Sequence, residues 1–104
     1  MPGLPTLRPE QQCVPTLRAV CDQFEQVFVE LGIRHCVTAE SNNEVCYVLQ
    51  RDFAISVTLH VDSERVVVSY PLLPVHTPAV RCALINAINA ARAVGFDVRV
   101  ITMH

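Results

Sequence analysis

The stretch Phe53-Ala54-Ile55-Ser56-Val57-Thr58-Leu59-His60-Val61 decides the fold. Its large apolar side chains, Phe53, Ile55, Val57, Leu59 and Val61, fall at every second position, and Ala54, Ser56, Thr58 and His60 fill the alternate ones. Successive side chains of a strand point to opposite faces, so this run reads as a strand with one face on a core and the other toward water. Three further apolar runs, 33–40, 44–50 and 65–72, are joined to it and to one another only by Ser41-Asn42-Asn43, Arg51-Asp52 and Asp62-Ser63-Glu64. A parallel return needs a crossover of about a dozen residues or more. Links this short therefore imply an antiparallel meander.

On either side the period changes from two to 3.6. Leu17, Val20, Cys21, Phe24, Val27, Phe28 and Leu31 recur at spacings of three and four, with Arg18, Asp22, Glu25 and Glu30 between them, which predicts an amphipathic helix over 15–31. Pro15 suits its first turn and Gly32 its left-handed exit. After the meander, Pro71, Pro74 and Pro78 interrupt the sheet, and Thr77 offers an N-cap. A second helix over 78–94 follows, with Val80, Leu84, Ala87, Ile88, Ala91 and Val94 as its apolar stripe and Gly95 as its exit. Phe96, Val98 and Val100 then alternate with Asp97, Arg99 and Ile101 in a last strand that reaches almost to His104. The order is α-β-β-β-β-α-β. Two one-sided helices can cover the apolar face of one antiparallel meander sheet, so the fold class is α+β, a two-layer sandwich. Residues 1–14, with Pro2, Pro5 and Pro9, read as an extended N-terminal arm, and 15–104 as a single domain.

Composition excludes several chemistries. Among 104 residues the Lys+Arg count of 8 is entirely Arg, and the three glycines are Gly3, Gly32 and Gly95. A P-loop or a Schiff-base site needs a lysine, and a dinucleotide-binding turn needs clustered glycines. A formal net charge of -2 without a cationic stripe argues against nucleic acid as a partner. No apolar segment approaches the roughly 20 residues needed to span a bilayer, which argues against a membrane partner. Five cysteines, Cys13, Cys21, Cys36, Cys46 and Cys82, without a secretory leader point to a reduced, cytoplasmic chain. The lysine-free, Arg/Ala/Val-rich usage looks like GC-biased bacterial coding.

Chemistry-bearing residues are few. His35, Cys36, Cys46 and His60 lie on neighbouring strands, but zinc sites use pairs such as C-x₂₋₄-C, and strand geometry sends His35 and Cys36 to opposite faces. No metal and no cofactor is expected. Cys21 lies on a core stripe and reads as a small buried hydrophobe. Cys82 lies on the outer face of the second helix near its start, with His76 the nearest base, yet no third residue completes a catalytic set. The carboxylates, Glu25 and Glu30 included, read as a solvated face. No catalytic residue is assigned.

Two surfaces carry more information. The outer face of the second helix holds Cys82, Asn86, Asn89, Ala90 and Ala93, with Arg81 and Arg92 toward the edges of the stripe. A face meant only for water normally carries Glu and Lys, whereas this one is small and uncharged. The sheet face away from the helices offers Cys36, Cys46, Val48, Val67, Ile101 and Met103 among Ser56, Thr58 and Ser69. Both surfaces suit contact with another chain.

The element order, the helix ending at Leu31-Gly32, the run Phe53 to Val61 and the segment Leu84-Ile85-Asn86-Ala87-Ile88-Asn89 resemble the YbjN family and the related type III secretion chaperone-like fold. The resemblance implies a homodimeric, non-enzymatic protein that binds other proteins, with Asn86 and Asn89 matching the family's Leu-x-Asn-x-x-Asn segment. The chain departs from that pattern by ending one strand after the second helix. The expected function is a chaperone-like or regulatory interaction module, homodimeric, with an unidentified protein partner. The alternative is a small-ligand or metal sensor in which Tyr70 and His76 line a pocket beside the Pro71-to-Pro78 loop.

Overall fold

A computed structural model describes residues 13–50, 54–72 and 78–103. Helix α1 spans Pro15–Glu30, strands β1 to β4 span Arg34–Glu40, Glu44–Gln50, Ala54–Asp62 and Arg65–Pro71, helix α2 spans Pro78–Ala93, and β5 spans Val98–Met103. The five strands form one sheet in the order β1-β2-β3-β4-β5, and both helices lie on one side of it. The expected α+β class and α-β-β-β-β-α-β order are therefore present.

The meander covers β1 to β4, each antiparallel to the next. β5 instead joins β4 in parallel, with Val66 opposite Val98 and Val68 opposite Val100. The sheet is mixed because α2 lies between β4 and β5 and supplies the long crossover that a parallel return requires. β1 carries an irregularity between Val37 and Ala39 that displaces Thr38 from the ladder.

Alternation sends Val45, Tyr47 and Leu49 of β2, Ile55, Val57 and Leu59 of β3, and Val66 and Val68 of β4 into the helix layer, where all are buried. Leu17, Val20, Cys21, Phe24, Val27 and Phe28 of α1 meet them, together with Val80, Ala83, Leu84, Ala87, Ile88 and Ala91 of α2. Each large side chain so buried contributes roughly 1.5–3 kcal/mol relative to exposure. α1 lies against α2 and over β1, β3 and β4, and α2 continues the layer over β5.

Both helices end in the same way. Gly32 N donates to Val29 O and Ile33 N to Phe28 O; Gly95 N donates to Arg92 O and Phe96 N to Ala91 O. With φ of 69° at Gly32 and 101° at Gly95, these are two Schellman ends. They also correct the expected stripes. Leu31 and Val94 occupy the residue just before each glycine, where the chain has left the helical cylinder, and they are exposed rather than buried. Pro15 opens α1 after Val14, whose side chain makes no cap. The proposed Thr77 cap, Phe53 and residues 1–12 of the arm lie outside the described residues.

Candidate functional site

The polar residues between the layers come first, because a catalytic centre would need them. Tyr47, fully enclosed beneath α1, donates its hydroxyl to Glu25 Oε2 at 2.5 Å. Arg18 pairs with the same carboxylate oxygen, with Asp22 at 3.0 Å and with Glu40 at 3.8 Å. Cys13 N donates to Glu40 at 3.4 Å, tying the residues before α1 to the end of β1. Glu25 is thus half-buried and doubly held, which corrects its reading as part of a solvated face. Glu30, which accepts from Gln26, is exposed as expected.

This cluster ties α1 to β1 and β2. Burial pushes the Cys21 thiol up to about 12 and moves the Tyr47 phenol well above its ordinary range, with the Glu25 carboxylate adding to the latter. Both groups hold their protons too tightly to act as a nucleophile or a base near neutral pH. Among the described residues no buried side-chain nitrogen or oxygen lacks a hydrogen-bond partner, so none is left aimed at a ligand.

The remaining candidates separate in space. His35 turns toward the helices and packs its ring 5.4 Å from Phe28 and 6.1 Å from Tyr47, whereas Cys36 is exposed on the other side. Among the described residues no group of three or more His, Cys, Asp or Glu side chains is placed to hold a metal ion. Cys82 is exposed, with Asn86 Nδ2 donating to its sulfur at 3.5 Å. His76 lies outside the described residues, so a Cys82–His76 pair has no geometry here.

What the fold does assemble is a surface. Register places Cys36, Val48 and Ser56 in one row across the open face of the sheet, and Ala39, Cys46, Thr58, Ser69 and Ile101 in the next. A third row runs Glu44, His60, Val67 and Arg99, and Asp62 faces Arg65 beyond it. The middle of the face is thus apolar or small, and charges gather toward the hairpin ends and at Arg34. Ile101 and Met103 are each about half exposed, at 46% and 49%. Val67 differs from expectation, being only 3% exposed in the middle of its row, between its register neighbours His60 and Arg99.

The outer face of α2 lies on the opposite side of the molecule. Cys82, Asn86, Asn89 and Ala93 are exposed there, as expected, but Ala90 is half-buried, because its position on the helix turns it toward the buried stripe. Arg92 was expected merely at the edge of the stripe. Its guanidinium instead donates to Val98 O through Nε at 3.1 Å and Nη2 at 2.7 Å, clamping α2 to β5. Tyr70 lines a groove with Leu72, Arg81, Ile85 and Thr102, between the ends of β4 and β5 and the first half of α2. Ile85, 48% exposed, is a lining residue the sequence reading passed over; its place one residue after a core leucine, just off the stripe, was the available signal.

Among the described residues no helix is long and apolar enough to cross a membrane. No family model, no curated protein and no solved structure matches the chain.

Proposed function

We propose that this protein is a non-enzymatic interaction module, chaperone-like or regulatory, that works in the cytoplasm as a homodimer joined through the open faces of its two sheets. The observation that carries this reading is the neutral centre of that face, Cys36, Val48, Ser56, Cys46, Thr58, Ser69 and Ile101, bordered by Arg34, Glu44, His60 and Arg99. Five strands about 4.8 Å apart and some six residues of about 3.3 Å each make a face of roughly 24 by 20 Å, on the order of 500 Å². With side-chain relief, that approaches the roughly 800 Å² per partner of a standard interface.

The face is also self-complementary in charge. A two-fold axis along the strands superposes the β5 side of one copy on the β1–β2 side of the other, which brings Arg99 toward Glu44 of the second copy. Two sheets stacked in this way form a sandwich about 10 Å thick. The outer face of α2, with Asn86 and Asn89, then remains available to a further protein.

Light scattering on the eluting protein tests the dimer, with a mass of twice the chain expected. Val48→Glu should yield monomer by burying a charge at the seam, whereas Asn89→Arg should leave the mass unchanged. A monomeric native protein at high micromolar concentration would sink the proposal, and dissociation by Asn89→Arg alone would move the seam to α2.

A further inference from the structure

His60 differs in kind from the other side chains of the open sheet face. Histidine is the side chain whose ordinary titration falls between about pH 5 and 8. Of the described histidines, His35 packs against Phe28 and Tyr47 in the helix layer, so His60 is the one that the open face presents. It sits on β3, the middle strand of the sheet, with Glu44 beside it on β2 and Val67 beside it on β4. Arg99 of β5 completes the row.

Two-fold symmetry gives the middle strand a special place. In the sheet-face dimer the axis runs along the strands and exchanges the β5 side with the β1–β2 side, so it lies over β3. Each outward residue of β3 then faces its own copy. Thr58 meets Thr58 of the second copy, and His60 meets His60. Stacked sheets lie about 10 Å apart, a gap that two opposed side chains fill. The two imidazoles therefore meet at the axis, away from water.

The charges around them are already balanced. Two copies bring two Glu44 and two Arg99 to this row, each arginine toward the other copy's glutamate. Beyond it, Asp62 is opposite Arg65 within each copy. Cys46 keeps its proton, because burial pushes its thiol up. Glu40 of β1 pairs with Arg18 on the helix side, and both helices lie on that side too. Neutral histidines leave the row without net charge; protonated ones add two positive charges at the axis. In the separated chain Glu44 is the charged neighbour of His60 and favours its protonation, whereas in the dimer Arg99 of the second copy offsets that carboxylate.

We infer that His60 is a pH switch on the dimer: protonation of the facing pair below neutral pH drives the two sheets apart. The inference rests on the sheet-face reading and names the regulation of that same seam. Separated chains bind up to two more protons per dimer than joined ones. The dissociation constant therefore rises as pH falls, by up to about a hundredfold per pH unit at full uptake.

Sedimentation equilibrium of the full chain at about pH 7.5 and about pH 5.5 tests it, with circular dichroism checking for a native fold at both. The dissociation constant should be roughly tenfold higher or more at the lower value. His60→Gln should dimerise as the native chain does at the higher pH and lose most of the difference between the two. His60→Arg, which fixes a charge at the axis, should weaken the dimer by roughly tenfold or more already at the higher pH. A native dimer equally tight at both values, or a His60→Gln protein that keeps the native pH response, would overturn the switch and leave the sheet-face dimer standing. A native monomer at the higher pH, or a dimer that Val48→Glu leaves intact, would overturn both.

Discussion

Cys21 shows how a residue read correctly for the core acquires a consequence from its surroundings. Its place on the apolar stripe of α1 made it a buried hydrophobe, and the structure encloses it fully beside Tyr47. Burial pushes its thiol up to about 12, whereas in the unfolded chain it titrates near ~8.5. Between those values the unfolded chain releases a proton that the folded chain keeps. The associated stability is fully present below ~8.5 and is lost as pH rises, with a slope approaching ~1.4 kcal/mol per pH unit. Tyr47 adds to the loss at still higher pH, because its phenol is raised too. Urea denaturation of Cys21→Ala from about pH 8 to 10.5 should show a lower starting stability but a shallower decline than the native chain; parallel declines would mean that the thiol ionises in the folded state as readily as in the unfolded one. Glu25 was less legible. Its position on α1 falls at the border of the stripe, and nothing in the spacing tells that a tyrosine two elements away ends beneath it.

At the scale of elements, periodicity was informative about what faces the core and silent about what lies beside what. The period of two placed Ile55, Val57 and Leu59 on one face, and all are buried. Alternation carries no direction, however, so the parallel pairing of β5 followed only from the length of the α2 crossover. Leu31 and Val94 matched the helical spacing yet are exposed, because each precedes a glycine that turns the chain out of the helix. Those glycines are themselves testable. A Cβ at Gly95 would meet nothing within 4 Å, so space is available and only the φ of 101° opposes a side chain. Gly95→Ala should therefore cost about 1–2 kcal/mol in urea denaturation with an unchanged m-value. Gly95→Asn should cost less, since asparagine tolerates left-handed backbone better. Equal stability of all three would show that the α2–β5 link relaxes to an ordinary turn.

For the whole molecule, the decisive property is that its two candidate surfaces lie on opposite layers, as the two-layer sandwich read from the sequence implied. Both surfaces carry few charges, and composition could not rank them. Two thiols now serve as reporters, because Cys36 stands exposed on the open sheet face and Cys82 exposed on the outer face of α2. Dimerisation through the sheets covers the first and leaves the second open. A Cys36-only protein, with Cys13, Cys21, Cys46 and Cys82 changed to alanine or serine, and the corresponding Cys82-only protein place one reporter on each layer. Under a thiol reagent at increasing protein concentration, the Cys36 rate should fall several-fold as dimer forms while the Cys82 rate stays constant. Val48→Glu should restore the fast Cys36 rate. If the Cys82 rate falls instead, the small, uncharged face of α2 is the seam, and the open sheet must be covered by another protein. Constant rates at both sites, with a monomer by light scattering, would remove the dimer.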